Sequence, residues 1–262
     1  MGKTIGIISL KGGVGKTSVV GALGYALSDF DKKVLLIDGN LSAPNLGLHL
    51  NIINPKITLH NILNRSANAR DAICKLDNFD IIPSSLSSNL RINPLKLKDR
   101  IKFLKRDYDI ILMDSSPALN EETLAVMLAS DRLLVVTTPD HPTLSTTIKS
   151  VKLAKKRGVP IDGLILNKVH DKNFEISVGE IERITDVPVM AIIPYDINAL
   201  KAVSNLVPFT QYKSKSKGSI EYKKLAATLI GEKYNPFSFK NLFKNPSRQE
   251  INREIYYERF FK

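Results

Sequence analysis

The chain has 262 residues, 43% of them apolar, and a formal net charge of +12. That length accommodates one large domain with a full hydrophobic core, and no apolar run approaches the roughly 20 residues a membrane-spanning helix needs. A single cysteine, Cys74, excludes an internal disulfide and a cysteine metal cluster, so a reducing cytoplasm is the compartment that fits.

The opening segment is apolar from Ile5 to Ile8 and runs straight into a glycine loop. It lacks the long apolar core and cleavage site of a signal peptide, and reads as a buried strand, Thr4–Ser9. A helix Thr17–Ser28 and a strand Lys33–Asp38 follow, then a strand Phe79–Pro83, a helix Asn93–Lys105 and a strand Asp109–Asp114. Further on come a helix Ala118–Ala129, a strand Arg132–Thr138, a helix Thr143–Lys156, a strand Ile161–Lys168, a helix Glu175–Ile184 and a strand Val187–Ile193. Pro194 and Pro208 bracket a short helix Asn198–Ser204, and Gly218 opens a last amphipathic helix that ends at Gly231. Strands rich in Ile, Val and Leu, alternating with helices, predict an α/β fold. The sheet should be doubly wound and mostly parallel, with helices on both faces. Residues 1–231 form the expected domain, and 232–262 a basic tail punctuated by Pro236 and Pro246. Histidines 49, 60, 141 and 170 are scattered, and surface or loop positions are expected for all four.

The most informative stretch is Lys11-Gly12-Gly13-Val14-Gly15-Lys16-Thr17, between the first strand and the first helix. The glycines let the backbone turn its N–H groups inward and approach phosphates without Cβ clashes. The helix start, with Ser18 next in line, adds its dipole and free donors. Lys16 is placed to bridge β- and γ-phosphates, and the Thr17 hydroxyl to ligate Mg²⁺. A nucleoside triphosphate is the ligand this cradle suits. Asp114 ends the apolar run Ile110–Met113, where a carboxylate can hold the Mg²⁺ water shell; the competing reading is a capping aspartate.

The K-G-G-x-G-K-T loop resembles the deviant Walker A motif of the MinD/ParA family of ATPases. The resemblance covers about Lys3–Gly231 and implies a P-loop NTPase fold of the SIMIBI type, with ATP and Mg²⁺ as cofactors. It also implies an ATP-dependent homodimer in which Lys11 reaches the partner's phosphates, and an activating protein of unknown identity. Asp114-Ser115-Ser116-Pro117-Ala118 is similar to the family's switch II, and Asp38 followed by Pro44-Asn45-Leu46-Gly47 to its switch I. Asp38 then lies near the Mg²⁺ shell. Asn40 stands where the family's second acidic residue orients the attacking water; an amide can hydrogen-bond that water but cannot accept its proton. Slow hydrolysis is therefore expected, with Lys11, Lys16 and Asn40 as the catalytic set. Asn167 matches an adenine-reading amide, and Pro194 and Asp196 an adenine-flanking I-P-x-D.

The last quarter, Lys201–Lys262, carries +8 of the charge, which suggests an anionic partner or only a Lys-rich composition. Phe239, Leu242 and Phe243 share a helical face beside Lys240 and Lys244. The stretch 237–244 is similar to the family's amphipathic membrane helix, and packing on the domain is the alternative. Lys213, Lys215, Lys217, Lys223 and Lys224 suit nonspecific DNA binding instead. The expected function is a MinD-like switch that positions a cellular assembly, cytoplasmic and peripheral on the inner face of the cell membrane. A ParA-like DNA-segregation ATPase and a nucleotide-gated scaffold without hydrolysis are the two alternatives.

Overall fold

The computed structural model describes residues 2–236 and 245–262. Within them, β1 (Lys3–Ile8), β2 (Val34–Asp38), β3 (Cys74–Lys75), β4 (Asp80–Ile82), β5 (Ile110–Asp114), β6 (Arg132–Thr137), β7 (Ile161–Val169) and β8 (Val189–Pro194) form one sheet. Its order is β3-β4-β2-β5-β1-β6-β7-β8, parallel except for the short antiparallel pair at the β3 edge. The expected doubly wound α/β architecture is present. Successive side chains of a strand point to opposite faces, so Leu36 and Leu112 pack into one core while Leu35 and Ile111 pack into the other. The first face is covered by α1 (Lys16–Ser28), α2 (Leu46–His49), α8 (Ile197–Ser204), α9 (Phe209–Tyr212) and α10 (Lys217–Ile230). The second is covered by α3 (Leu59–Asn64), α4 (Leu97–Ile101), α5 (Glu121–Ala129), α6 (His141–Lys156) and α7 (Val178–Thr185).

Several expected helix limits shift for local reasons. Asn120, not Ala118, starts α5: its side chain caps the Thr123 N–H at 3.0 Å, leaving 115–120 as a loop. Ser177 caps α7, because the Glu175 carboxylate instead accepts the N–H groups of His170, Asp171 and Lys172. The stretch expected as one helix at 93–105 divides into α4 flanked by 3₁₀ turns at 94–96 and 102–106, the first opened by Asn93 and Pro94. His60 is a correction: it is buried within α3, where its Nδ1 accepts the Ser85 N–H at 3.2 Å.

The segment after residue 247, to which the sequence reading assigned no element, is α11 (Arg248–Phe261), opened by a Ser247–Glu250 capping box. It seals the free edge of β8. Asn252 donates to Val189 O and Arg253 to Met190 O, each at 2.8 Å. Glu182 of α7 takes the Val189 N–H at 2.8 Å and Glu221 of α10 that of Ile192 at 3.3 Å. An edge strand so covered cannot template pairing with another chain. The far end of α11 reaches the strand starts: Tyr256 donates to Asp162 at 3.0 Å, and the Arg132 guanidinium stacks on Phe260 at 4.1 Å. The amphipathic segment expected at 237–244 lies outside the described residues. No helix among those described is long and apolar enough to cross a membrane.

Candidate nucleotide site

The loop between β1 and α1 sits at the carboxyl edge of the sheet, flanked by the ends of β5 and β6. Gly13 and Gly15 adopt φ of +80° and +86°, the left-handed region that side chains disfavour. A Cβ on Gly12 or Gly13 would meet nothing within 4 Å, so the rim of the loop is open; one on Gly15 would strike Asn167. Two consecutive residues of β7 grip the loop by its carbonyls. Asn167 Nδ2 donates to Val14 O and Lys168 Nζ to Gly13 O, each at 2.7 Å. Among the described residues, the amides of Gly12, Gly13, Val14 and Gly15 donate to no protein acceptor. Free amides ahead of a helix N-terminus make an anion cradle.

Parallel pairing of β2 with β5 sets Asp38 beside Asp114, both fully buried. Lys16, itself buried, bonds to Asp114 Oδ1 and Ser115 O, and Thr17 Oγ1 donates to Asp114 Oδ2 at 2.6 Å. The Asp38 carboxylate accepts the N–H groups of Asn40, Asn45 and Leu46 at 3.0–3.2 Å. Burial, and then the neighbouring Asp114 charge, push its pKa up to about 7 despite those bonds. Thr17, Asp38 and Asp114 thus offer one hydroxyl and two carboxylates. No cluster of three or more His, Cys, Asp or Glu suited to a metal occurs among the described residues. So sparse an oxygen set fits Mg²⁺, which keeps waters and shares phosphate oxygens, rather than an ion needing an all-protein cage.

Asn40 is buried and its Nδ2 donates to Ala43 O, while its Oδ1 is buried with no partner. Lys11 turns toward α6, with Nζ 2.8 Å from Thr143 Oγ1 and 3.5 Å from Asp140 Oδ1. Burial works the other way, yet bonds from Thr138 and Thr143 and the Lys11 charge hold Asp140 below the usual carboxylate range. Ser18 lies in the first turn of α1. Pro194 pairs with Val169, two residues past Asn167, and the Asp196 carboxylate caps α8 through the Asn198 N–H at 2.8 Å. Of the sequence candidates, the structure gathers Lys16, Thr17, Asp38, Asn40, Asp114 and Asn167 around the loop. Lys11 points to α6, Pro194 ends β8 beside the last residue of β7, and Asp196 lies two residues further on, at the start of α8. Lys168 and Glu122 were missed; the Asn-Lys pair at a strand end was a signal for the first, whereas Glu122 is brought in only by tertiary structure.

Residues 2–160 match the family model described as an AAA domain. The chain is 32% identical over 237 residues to an uncharacterized ATP-binding protein of Methanocaldococcus jannaschii, covering 89% of this chain and 90% of that one. The cell division ATPase MinD of Pyrococcus furiosus superposes with a TM-score of 0.84 at 36% identity, over 88% of this chain and 99% of that chain. The chain belongs to the MinD/ParA family of P-loop ATPases. A second MinD/ParA structure, the septum site-determining protein MinD of Pyrococcus horikoshii complexed with Mg-ADP, gives 0.83 at 35% identity, over 87% and 96%. ATP and Mg²⁺ are the cofactors of this family, and the open cradle and sparse oxygen set described above suit both.

Proposed function

We propose that the chain is a MinD-like switch, dimerising with ATP, hydrolysing it slowly, and positioning a cellular assembly. The observation that carries this reading is the Lys16–Asp114–Thr17 cluster beneath a loop headed by a second lysine, Lys11. Bound ATP with Mg²⁺ supplies the scissile phosphoanhydride and the charge that polarises it. Lys16 exchanges its carboxylate and carbonyl partners for phosphate oxygens, while Thr17 and the two aspartates hold the cation's shell. Val14, Gly15 and their neighbours donate amides to the phosphates, and Ser18 extends the helix start. Asn167 offers its remaining amide oxygen to adenine, with Pro194 and Asp196 flanking the base. Lys11 leaves Asp140 and Thr143 to reach the phosphates of a second copy.

Asn40 governs the rate. Its unpartnered Oδ1 can accept a hydrogen bond from the attacking water, but the amide adds no negative charge and takes no proton. Single-turnover hydrolysis should be slow in the wild type and faster, by about tenfold or more, in Asn40→Asp; equal, fast rates in both would sink this reading. Sizing chromatography tests the dimer. ATP, but not ADP, should shift the wild type to a dimer and leave Lys11→Ala monomeric; a wild type that stays monomeric with ATP removes the switch.

Residues 1–231 serve as the ATPase domain in this reading, with 232–262 as its C-terminal extension. The chain acts in the cytoplasm and returns to an acidic membrane surface through 237–244, with an activating protein completing the cycle. Nonspecific DNA binding is the second reading, and the ion pairs Lys223–Asp29 and Lys224–Glu250 weaken it by tying up two of its five lysines. Liposome co-sedimentation and DNA mobility shifts, each with and without ATP, separate the two surfaces.

A further inference from the structure

Asn40 sits in a loop, 39–45, that is fastened on both sides of it to a single segment of chain. On one side, the Gly39 N–H donates to Asp114 O at 2.9 Å, and a Cβ on Gly39 would lie 2.6 Å from that oxygen, so the loop leaves β2 hard against the end of β5. On the other side, the Leu41 N–H donates to Glu122 Oε2 at 3.1 Å and the Ser42 hydroxyl to Glu122 Oε1. Glu122 is only 8% exposed. It stands in the first turn of α5, where the helix dipole favours a carboxylate, and backbone and hydroxyl donors satisfy both of its oxygens. The turn itself is braced, since Thr123 Oγ1 donates to Ser116 O at 2.9 Å and to Ala118 O at 2.8 Å. Asp114 and Glu122 therefore hold the amides of Gly39 and Leu41, the residues on either side of Asn40, from the two ends of the 114–122 stretch.

We propose that Glu122 is a positioning residue that acts through Asn40, fixing the loop so that the unpartnered amide oxygen points to the hydrolytic water. This rests on the ATPase reading above. A buried carboxylate that forms no hydrogen bond or ion pair with Lys16, Thr17 or Asp114 among the described residues has no other evident part in nucleotide binding. Because Asn40 lacks the charge that would attract a water by itself, its geometry matters more, and misplacement of a positioned group costs rate rather than affinity.

The test uses the full chain, with ATP affinity measured by titration calorimetry and hydrolysis by single-turnover phosphate release in the presence of Mg²⁺. Glu122→Ala should slow hydrolysis at least tenfold while the Kd for ATP stays within about threefold. Glu122→Gln, which keeps an acceptor for Leu41 and a partner for Ser42, should retain more than half the rate. Added to Asn40→Ala, the Glu122→Ala change should cost almost nothing further, because its effect passes through Asn40. Should Glu122→Ala fail to fold, Glu122→Asp, too short to hold both donors, carries the same expectation. Additive losses, an equal loss of affinity, or an unchanged rate overturns the proposal. Intact ATP binding with no turnover in either the wild type or Asn40→Asp also overturns it, yet leaves ATP-gated dimerisation standing. Absence of ATP binding removes the ATPase reading itself.

Discussion

Lys11, at the head of the phosphate loop, is bonded within its own chain to Thr143, whose hydroxyl lies 2.8 Å from Nζ, with Asp140 next to it at 3.5 Å. In the proposed dimer that lysine serves the other subunit, so the intramolecular pair competes with association. The ammonium and the carboxylate are both about two-fifths exposed, and such pairs are worth up to about 1 kcal/mol. Two such pairs break per dimer, so Asp140→Asn should lower the protein concentration at which ATP drives dimer formation by about thirtyfold at most. Sedimentation velocity over a protein dilution series reads this directly. An unchanged midpoint would show that the Lys11 contact is not broken on dimerisation.

Lys16 is a different kind of lysine. It is buried beside two buried carboxylates, and removing it leaves Asp114 and Asp38 facing each other without a bonded cation. Lys16→Ala should abolish ATP binding and also destabilise the fold by about 3–5 kcal/mol, the usual cost of stranding a buried charge. Lys11→Ala should change stability by no more than about 1 kcal/mol. Thermal melts without nucleotide distinguish the two. Adding Asp38→Asn to Lys16→Ala should recover part of the loss, and a double variant less stable than Lys16→Ala alone refutes the charge explanation.

The parts of this site that were legible in the sequence are those whose chemistry is local. Glycines beside Gly15-Lys16-Thr17 specify a turn and a helix start by themselves, and Asp38 and Asp114 announce themselves as the polar ends of apolar runs. What could not be read depends on partners far along the chain. Glu122 looks like an ordinary acidic residue in a helix's first turn until the fold brings Leu41 and Ser42 to it. The helix α11 hides Arg253 and Tyr256 while leaving Ile251 and Ile255 exposed, the reverse of the pattern that marks a packed helix. The short β3 and the helical turns of α2, α3 and α9 fall below the length at which periodicity is visible.

Asp38 gives the site a pH dependence. With its pKa pushed up to about 7, the group is mostly protonated below that value, and a cation bound next to it must displace the proton. The affinity for Mg²⁺ with nucleotide should fall as pH drops from 8 through 7 to 6, at most about tenfold per unit. The same shift favours the fold below the ordinary carboxylate range and loses that contribution as pH rises through about 7. Calorimetric titrations of wild type and Asp38→Asn at each pH isolate the effect, since the nucleotide's own titration is common to both. Parallel pH profiles would mean that Asp38 does not change protonation on binding.

The seal on β8 can be tested apart from the nucleotide. Arg253 is buried and holds both Met190 O and Glu221 at 2.8 Å. Its loss leaves the buried Glu221 carboxylate with only the Ile192 N–H and no cation, and the Met190 carbonyl without its donor, so Arg253→Ala should cost about 3 kcal/mol. Tyr256→Phe, which gives up only the bond to Asp162, should cost about 1 kcal/mol. Because α11 runs from β8 to the strand starts, away from the loop, neither change should move the Kd for ATP by more than about threefold. Deleting 248–262 uncovers the β8 edge and removes two of the four groups that occupy it. The truncated chain should associate in a concentration-dependent way, which light scattering detects. A truncated chain that stays monodisperse and melts as the wild type does would show that Glu182 and Glu221 suffice to protect the edge.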